Sequence, residues 1–176
     1  MRYAVRDTAS VEVPEGAEGG PAGAAAAAAD LVLLAVPFGA VGQVIPRLGL
    51  APRQILIDAT NPFGVDTGDN PSGAAIVAAV AGDEVTVVKA FNVLGAEHMT
   101  SPPLPDGNRP VLPVASDDPI ARRQVVDLAT AMGFDAVDVG TLSAASLMEE
   151  AARYWGLLAF AGGRGRQVVL VAHQRP

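Results

Sequence analysis

Cysteine is absent from the sequence, which excludes disulfide bonds, thiolate nucleophiles and metal sites built on cysteine. The two histidines, His98 and His173, lie far apart along the chain, so a histidine metal centre has little support. The sequence contains neither a pair of neighbouring histidines nor a cluster of carboxylates at the predicted cleft. The sequence therefore predicts no metal site and no catalytic side chain of the acid-base kind.

Positive charge is also scarce. Lys89 is the only lysine beside eleven arginines, the formal net charge is −7, and the pI is about 4.7. The only clusters of positive charge are the pairs Arg122–Arg123 and Arg164–Arg166. Because a nucleic-acid binder needs a basic face that neutralises phosphates, we expect no nucleic-acid partner.

Long hydrophobic runs are missing as well. Residues 31–45 are apolar, but Pro37, Gly39 and Gly42 interrupt them, and they fall short of the roughly 20 residues that span a bilayer. The first residues of the chain lack the apolar core of a signal peptide. We therefore expect a soluble, cytoplasmic protein with no membrane partner.

The composition that remains is that of a globular chain. Half of the 176 residues are apolar and 18% are charged, which is enough apolar material for a substantial core. A length in the range of about 100–200 residues fits one domain, here residues 1–176, with a helical C-terminal segment from about residue 141.

Short apolar runs alternate with Gly/Pro/Asn/Asp breaks and longer segments at helical spacing. This alternation is typical of an α/β fold, in which helices cover both faces of a parallel sheet. Continuous apolarity in several runs indicates strands that are buried on both faces. The predicted strands are residues 2–5, 31–36, 55–58, 85–89, 111–114 and 136–139.

Three helices have clear start and stop signals. Ser72 begins a predicted helix that ends before Gly82, and Asp117 or Asp118 begins a second one that ends at Gly133. The second helix is expected to place Ile120, Leu128 and Met132 on its inner face. The alanines at 24–29 predict a short helix, and the Gly/Pro-rich residues before them predict a loop.

The third helix is predicted over residues 143–160. Glu149 lies four residues before Arg153, which favours an ion pair along the helix. A broad apolar side of this helix is expected to pack in the core or to form a subunit contact, which makes a homodimer through the C-terminal helix a candidate assembly. That side comprises Leu147, Ala151, Tyr154, Trp155, Leu158 and Ala159.

Unusual residues follow three of the predicted buried strands. In an open parallel sheet the ligand crevice lies beyond the carboxyl ends of the strands, so the segments after Val36, Asp58 and Lys89 should form one cleft. Asp58 is expected to cap its own turn. Lys89 has two functional interpretations, attraction of a cofactor phosphate or support of the cleft, and one alternative, exposure to solvent at the end of a strand.

Four segments resemble the NADP oxidoreductases dependent on coenzyme F420. They are "DLVLLAVPF", "ILIDATNPFG", "VVKAFNVLGAEHM" and "VDVGTLSAASLMEE", and the resemblance extends from Asp30 to about Phe160. The nucleotide-binding fold of this family also resembles the amino-terminal domain of some membrane ferric reductases. The resemblance implies a Rossmann-like fold and hydride transfer between NADP and coenzyme F420 or a similar small-molecule redox partner.

The resemblance also implies where NADP would be bound. Ala35, Val36 and Pro37 would lie against the ribose and pyrophosphate, because small side chains let backbone groups approach. Asn61 and Pro62 would line the next wall of the cleft. Such an enzyme needs little acid or base chemistry, since the cofactor carries the reaction and the protein holds the two rings face to face.

The remaining contacts implied by the resemblance lie at the two ends of the cofactor. Asn92 and Leu94 would be near the position of hydride transfer, and the backbone of Ala96 would hold the nicotinamide amide. Arg6, which follows the first predicted strand, would grip the 2′-phosphate of NADP.

The chain lacks the glycine-rich G-x-G-x-x-G loop that normally binds a dinucleotide pyrophosphate. The only glycines at i and i+2 are Gly163 and Gly165, and Val168 occupies the third position. The chain is therefore expected to lack the family's first strand and first helix. This leaves two alternatives open, a truncated, non-catalytic remnant or interaction module, and a reductase with another small carbonyl or imine substrate.

Overall fold

The computed structural model describes residues 2–4, 15–100 and 102–173. The strands are β1 (Arg2–Ala4), β2 (Glu18–Gly20), β3 (Leu31–Leu34), β4 (Ile55–Asp58), β5 (Thr86–Lys89), β6 (Val111–Val114) and β7 (Asp135–Asp138). The α-helices are α1 (Ala22–Ala27), α2 (Val41–Leu48), α3 (Gly73–Ala81), α4 (Pro119–Met132) and α5 (Ala145–Gly156). A π-helical turn, Leu157–Ala161, continues α5.

Every pair of these strands is parallel. β1 pairs with β2, β3–β4–β5 form a sheet of three strands, and β6 pairs with β7. At the end of β5, Lys89 and Ala115 exchange backbone hydrogen bonds of 2.8 and 3.0 Å, which connects the three-stranded sheet to the segment after β6. The predicted Rossmann-like α/β architecture, with helices beside parallel strands, is confirmed.

The strand β4 lies at the centre of the core, with all four of its residues buried. Because side chains alternate along a strand, Ile55 and Ile57 pack with the cluster that includes α4, whereas Leu56 packs on the other face with α2 and α3. Burial of each such side chain stabilises the fold by about 1.5–3 kcal/mol. The sheet is thus covered on both faces, as its apolar sequence predicts.

The amino-terminal region differs from the prediction. The expected loop before the alanines contains β2, which pairs with β1, and the short helix begins at Ala22 rather than Ala24. The first predicted strand, residues 2–5, is found at Arg2–Ala4, and Val5 lies outside the described residues. A strand of Glu-Gly-Gly has no β-propensity signal, so only its pairing with β1 reveals it.

The helix α4 begins as its sequence indicates but turns a different face inward. Asp118 Oδ1 accepts hydrogen bonds from two backbone N–H groups, and Gly133 ends the helix with φ of 103°. The predicted inner face is wrong, since Ile120 is 70% exposed and Leu128 and Met132 are also exposed. The buried residues are Ala121, Val125 and Ala129, whose small side chains let the helix approach the sheet closely.

The other two predicted helices are found close to their expected limits. Ser72 Oγ accepts from the backbone N–H of Ala75 and caps α3, as predicted. In α5, Trp155 is buried, but Leu147 and Tyr154 are exposed. Only part of the predicted apolar side of this helix therefore packs against the rest of the chain. No helix in the described ranges is long and apolar enough to cross a membrane.

Candidate active site

The ends of β3, β4 and β5 lie side by side. Their register aligns Leu34 with Asp58 and Asp58 with Lys89, so the segments that follow these strands leave the sheet at one edge. This arrangement is the one that the sequence predicts for a shared cleft. It places the candidate site at the position where parallel α/β sheets bind their ligands.

Lys89 lies beneath this edge and is fully buried, with 0% of its surface exposed. Its Nζ donates to Asp58 Oδ2 at 3.0 Å and to the carbonyl of Thr60 at 2.6 Å, and it pairs with Glu149 Oε1 at 3.2 Å. The alternative of solvent exposure is therefore wrong. A lysine ammonium has three donors, and these three oxygens occupy them.

The burial of Lys89 also argues against its expected role in attracting a cofactor phosphate. A phosphate oxygen would need a free donor on Nζ and access through the surrounding side chains, and the structure provides neither. Of the two functional interpretations, support of the cleft fits the observed contacts. Burial of a charged lysine is costly unless it is paired and hydrogen-bonded, which accounts for the two carboxylates around it.

Asp58 joins Lys89 to the turn that follows β4. Its Oδ1 accepts from the backbone N–H of Thr60 at 2.9 Å and from the Thr60 hydroxyl at 2.7 Å, while Oδ2 faces Lys89. The expectation that Asp58 caps its own turn is confirmed. The same carboxylate fixes the start of the segment that carries Asn61 and Pro62.

Glu149 supplies the second carboxylate, and sequence reasoning assigned it the wrong partner. It is buried, and it accepts hydrogen bonds from the backbone N–H groups of Gly73 at 3.0 Å and Ala74 at 3.1 Å, at the start of α3. Arg153, its predicted partner, pairs instead with Glu150, with Nε and Oε1 3.3 Å apart. The single lysine at the end of an otherwise apolar strand is the signal that could have indicated acidic partners from other elements.

We call Lys89, Asp58 and Glu149 the lysine cluster. Counting one ammonium against two carboxylates gives a formal charge of −1, which the N–H groups at the start of α3 partly offset. The helix terminus that could have bound a phosphate is thus occupied by Glu149.

Two asparagines connect the segments after β4 and β5. Asn92 is 4% exposed, and its Nδ2 donates to Asn61 Oδ1 at 3.0 Å and to the carbonyl of Met148 at 3.1 Å. Asn61 Nδ2 in turn donates to the carbonyl of Asn92 at 2.9 Å. These bonds hold two walls of the cleft and α5 together. Asn92 Oδ1 has no hydrogen-bond partner among the described residues.

The other predicted site residues lie around the same edge. Ala35 and Pro37 are exposed after β3, and Val36 is half-buried. Leu94 is half-buried against the core, and Ala96 is exposed at the start of a short helical turn, Ala96–His98. The structure brings Asn61, Pro62 and Asn92 together above the lysine cluster. Arg6 lies outside the described residues.

A C-terminal segment crosses the turn that contains Ala96. Arg166 Nε and Glu97 Oε1 are 2.8 Å apart, and the second guanidinium nitrogen donates to Oε2 at 2.9 Å. The hydrogen bond from Arg166 lowers the pKa of the Glu97 carboxyl. Trp155 Nε1 donates to the carbonyl of Val168 at 2.7 Å, so the segment is bonded both to this turn and to α5.

Comparisons with known proteins agree with this architecture. Residues 5–62 match the family described as NADP oxidoreductase, coenzyme F420-dependent. Metalloreductase STEAP3 of Rattus norvegicus is 38% identical over 96 residues, which amount to 54% of this chain and 19% of that protein. The chain thus spans about a fifth of that relative's length.

Two solved structures show the same fold. One, described provisionally as an F420-dependent NADP reductase of Arthrobacter sp. FB24, is similar with a TM-score of 0.78 and 23% identity, over 89% of this chain and 75% of that one. The reductive aminase of Aspergillus terreus, solved with NADPH and ethyl-5-oxohexanoate, has a TM-score of 0.59 and 19% identity, over 84% of this chain and 48% of that one.

Proposed function

We propose, from the confirmed resemblance of this chain to the NADP oxidoreductases dependent on coenzyme F420, that it transfers a hydride between NADP and coenzyme F420 or a similar acceptor. The observation that carries the proposal is the alignment of the ends of β3, β4 and β5, which brings three loops to one edge of a parallel sheet. The family match and the fold of the neighbours support NAD(P)-dependent oxidoreductase activity in general.

The chemistry of this edge supports hydride transfer rather than hydrolysis. Its polar side chains near the predicted acceptor position are amides, Asn61 and Asn92, whereas the charged groups are paired below in the lysine cluster. When bound, NADPH supplies the hydride and the acceptor takes it up, so the protein needs to orient two rings and exclude water. The hydrogen bonds between Asn61 and Asn92 would keep these walls fixed.

The charge distribution suggests the direction in which NADP would lie. The formally negative lysine cluster disfavours a pyrophosphate above β4 and β5, whereas the exposed residues Ala35 and Pro37 leave space for it to approach. The ribose and pyrophosphate would then lie beside β3, with the 2′-phosphate at Arg6. The nicotinamide would point toward Asn92 and the backbone of Ala96.

A titration with NADPH and NADH tests the proposal. We expect saturable binding with preference for NADPH, and a loss of that preference in Arg6→Ala, because only NADPH carries the 2′-phosphate. Arg53→Ala is a matched control, since Arg53 is exposed and lies in the turn before β4, at the opposite end of this strand from the cleft. Absence of NADPH binding in the parent protein would reject the proposal.

The acceptor requires its own assay. With NADPH bound, absorbance at the reduced-nicotinamide band should fall when oxidised coenzyme F420 is added. A panel of small carbonyl and imine compounds in the same assay tests the alternative that the acceptor is of another class. Turnover of a carbonyl or imine without turnover of coenzyme F420 would replace the acceptor in the proposal and retain the nicotinamide chemistry.

One observation favours a second candidate, a non-catalytic interaction module. Among the described residues, β1 pairs only with β2 and β3 pairs only with β4, so the sheet is divided where a dinucleotide fold has its central strand. Exposed apolar side chains on α5 and the turn after it could then bind a second copy of the chain. They are Leu147, Tyr154, Leu157 and Phe160.

Sedimentation and thermal unfolding distinguish the two candidates. A stable dimer that dissociates in Tyr154→Glu, and whose Tm does not change with NADPH, would favour the interaction module. A rise in Tm with NADPH would favour the oxidoreductase, because a ligand that binds only the folded state stabilises it.

A further inference from the structure

The first residue of α3, Gly73, lies where the two walls of the cleft and α5 meet. A Cβ atom placed on Gly73 would be 2.9 Å from Phe38 Cε2, 3.1 Å from Pro62 Cδ and 3.1 Å from Glu149 Oε1. Phe38 belongs to the segment after β3, and Pro62 belongs to the segment after β4. One backbone position is therefore in contact with both walls.

The backbone does not require glycine at this position. Gly73 is not among the glycines with positive φ, and it opens a helix, where alanine is more favourable by up to about 1 kcal/mol. The requirement for a small residue comes instead from packing. A contact of 2.9 Å is too short for a carbon pair, so an added methyl group would displace the Phe38 ring.

Glu149 fixes this position from the other side. Its two carboxylate oxygens accept from the N–H groups of Gly73 and Ala74, and Oε1 also faces Lys89, which is bonded to the turn after β4. The start of α3 is thereby tied to the same turn that carries Pro62. Movement of α3 relative to the sheet would break charged hydrogen bonds in a fully buried cluster.

We propose that Gly73 and Glu149 are positioning residues which set the separation of the Phe38 and Pro62 walls, and with it the affinity of the cleft for NADPH. The proposal rests on the proposed function for its ligand. Neither residue is placed in contact with NADP. They act through Phe38 and Pro62. In this way α5, which carries Glu149 and lies far from these strands in sequence, contributes to a site built from strand ends.

The test compares Gly73→Ala with Gly156→Ala. Both replace a helical glycine, but a Cβ on Gly156 has no neighbour within 4 Å. We expect NADPH to bind Gly73→Ala about tenfold more weakly, because small displacements in a preorganised site reduce affinity strongly. Both variants should keep a Tm within about 4 °C of the parent, a change equivalent to about 1 kcal/mol in a chain of this size. Gly156→Ala should bind NADPH like the parent.

A second measurement separates this proposal from the proposed function. In amide proton–nitrogen correlation spectra without ligand, Gly73→Ala should shift the resonances of the non-proline residues within 36–40 and 61–65, and Gly156→Ala should leave them in place. If the parent binds no NADPH and these shifts occur, the proposed function fails together with the effect on NADPH affinity, and the role of Gly73 in separating the two walls stands. If these resonances do not move, or if Gly73→Ala binds NADPH as tightly as the parent, the positioning role is overturned.

A rescue variant and a charge variant complete the design. Phe38→Leu shortens the side chain that the new methyl group would meet, so Gly73→Ala/Phe38→Leu should recover part of the lost affinity. If Gly73→Ala does not fold, Glu149→Gln decides in its place, with exposed Glu150→Gln as its control. Equal NADPH affinity in Glu149→Gln and Glu150→Gln would then overturn the proposal.

Discussion

The centre of the sheet and its amino-terminal side are built from similar sequences but differ in their environment. The strand β4, with sequence ILID, is buried at every residue, whereas β3, with sequence LVLL, has one buried residue and an exposed Leu33 at 55%. The difference arises from neighbours: β4 pairs on both sides and β3 on one side within the described residues. An apolar run thus predicts a strand but does not determine how many strands flank it.

The same contrast exists between charged groups. Lys89 is enclosed by two carboxylates and a carbonyl in the centre, whereas the charged pair of Glu97 and Arg166 lies at the surface. In the centre, loss of one partner leaves a charge without water or a counterion. At the surface, water replaces the lost partner. We therefore expect the loss in free energy of unfolding to depend on whether a substituted charge is buried or at the surface, more than on which charged group is removed.

The largest effect is expected for Lys89→Met. The change leaves Asp58 and Glu149 buried without their cation, and removal of one partner from a buried ion pair costs about 3–5 kcal/mol. Urea denaturation followed by circular dichroism measures the free energy of unfolding. Arg123→Met is the control, since Arg123 pairs with Asp127 on an exposed helix face. A loss below about 1 kcal/mol in Lys89→Met would show that the cluster is not a buried ionic network.

A smaller effect is expected for truncation of Leu56, which is fully buried in β4. Leu56→Ala should reduce the free energy of unfolding by about 2–5 kcal/mol, the range for a buried leucine that leaves a cavity. Leu33→Ala, in β3, should reduce it by less than about 1 kcal/mol because Leu33 is largely exposed. Equal losses in the two variants would contradict the comparison between centre and edge.

The edge of β3 that pairs with no other strand among the described residues gives a third prediction, which concerns association rather than stability. Leu33→Lys should lower the tendency to aggregate, since a lysine on an edge strand opposes pairing with another strand. The measurement is light scattering against temperature, with unfolding followed in parallel. The free energy of unfolding should change by no more than about 0.5 kcal/mol, as for other surface positions. Strong destabilisation by Leu33→Lys would mean that this edge is covered in solution.

Local signals in the sequence were sufficient for much of the fold. The caps Ser72 and Asp118 and the stop at Gly133 depend on chemistry within a few residues, and each is found where expected. The apolar runs 55–58 and 111–114 form strands with the predicted limits, and the runs 31–36, 85–89 and 136–139 form strands whose limits differ by one or two residues. The inner face of α4 was not predictable in this way. Large apolar side chains predicted an inner face at Ile120, Leu128 and Met132, but close packing on the sheet favours the smaller Ala121, Val125 and Ala129.

The site was predictable to the level of strand ends but not of partners. The parallel topology predicted neighbouring strand ends at Val36, Asp58 and Lys89, and the three ends do lie side by side, although β3 ends at Leu34. The pairing of Lys89 with Glu149 joins residues 60 positions apart, and no local rule relates them. Glu149 also had a plausible local partner in Arg153, which concealed its true position. Long-range contacts of this kind are determined by packing of α5, which periodicity alone does not orient.

The smallest effect is expected from the surface pair of Glu97 and Arg166, and it concerns pH. Hydrogen bonding to Arg166 lowers the pKa of Glu97 below its ordinary value of 4.5 in the folded protein. The pair therefore contributes its full stabilisation above pH 4.5, and that contribution is lost as the pH falls through the lowered folded pKa. In Arg166→Gln the pKa of Glu97 should rise toward 4.5, which a titration of the carboxyl carbon resonances by NMR measures.

Asp106 is the internal control for this titration. Its pKa is lowered by hydrogen bonds from Asn108, a group that Arg166→Gln does not touch, so its midpoint should stay where it is in the parent. If the midpoint of Glu97 also stays, the ion pair does not form in solution. In that case the lysine cluster would contribute to stability, and the Glu97–Arg166 pair would contribute nothing. A shift of Glu97 alone would show that the surface pair forms, and the urea denaturation of Lys89→Met then measures how much more the buried cluster contributes.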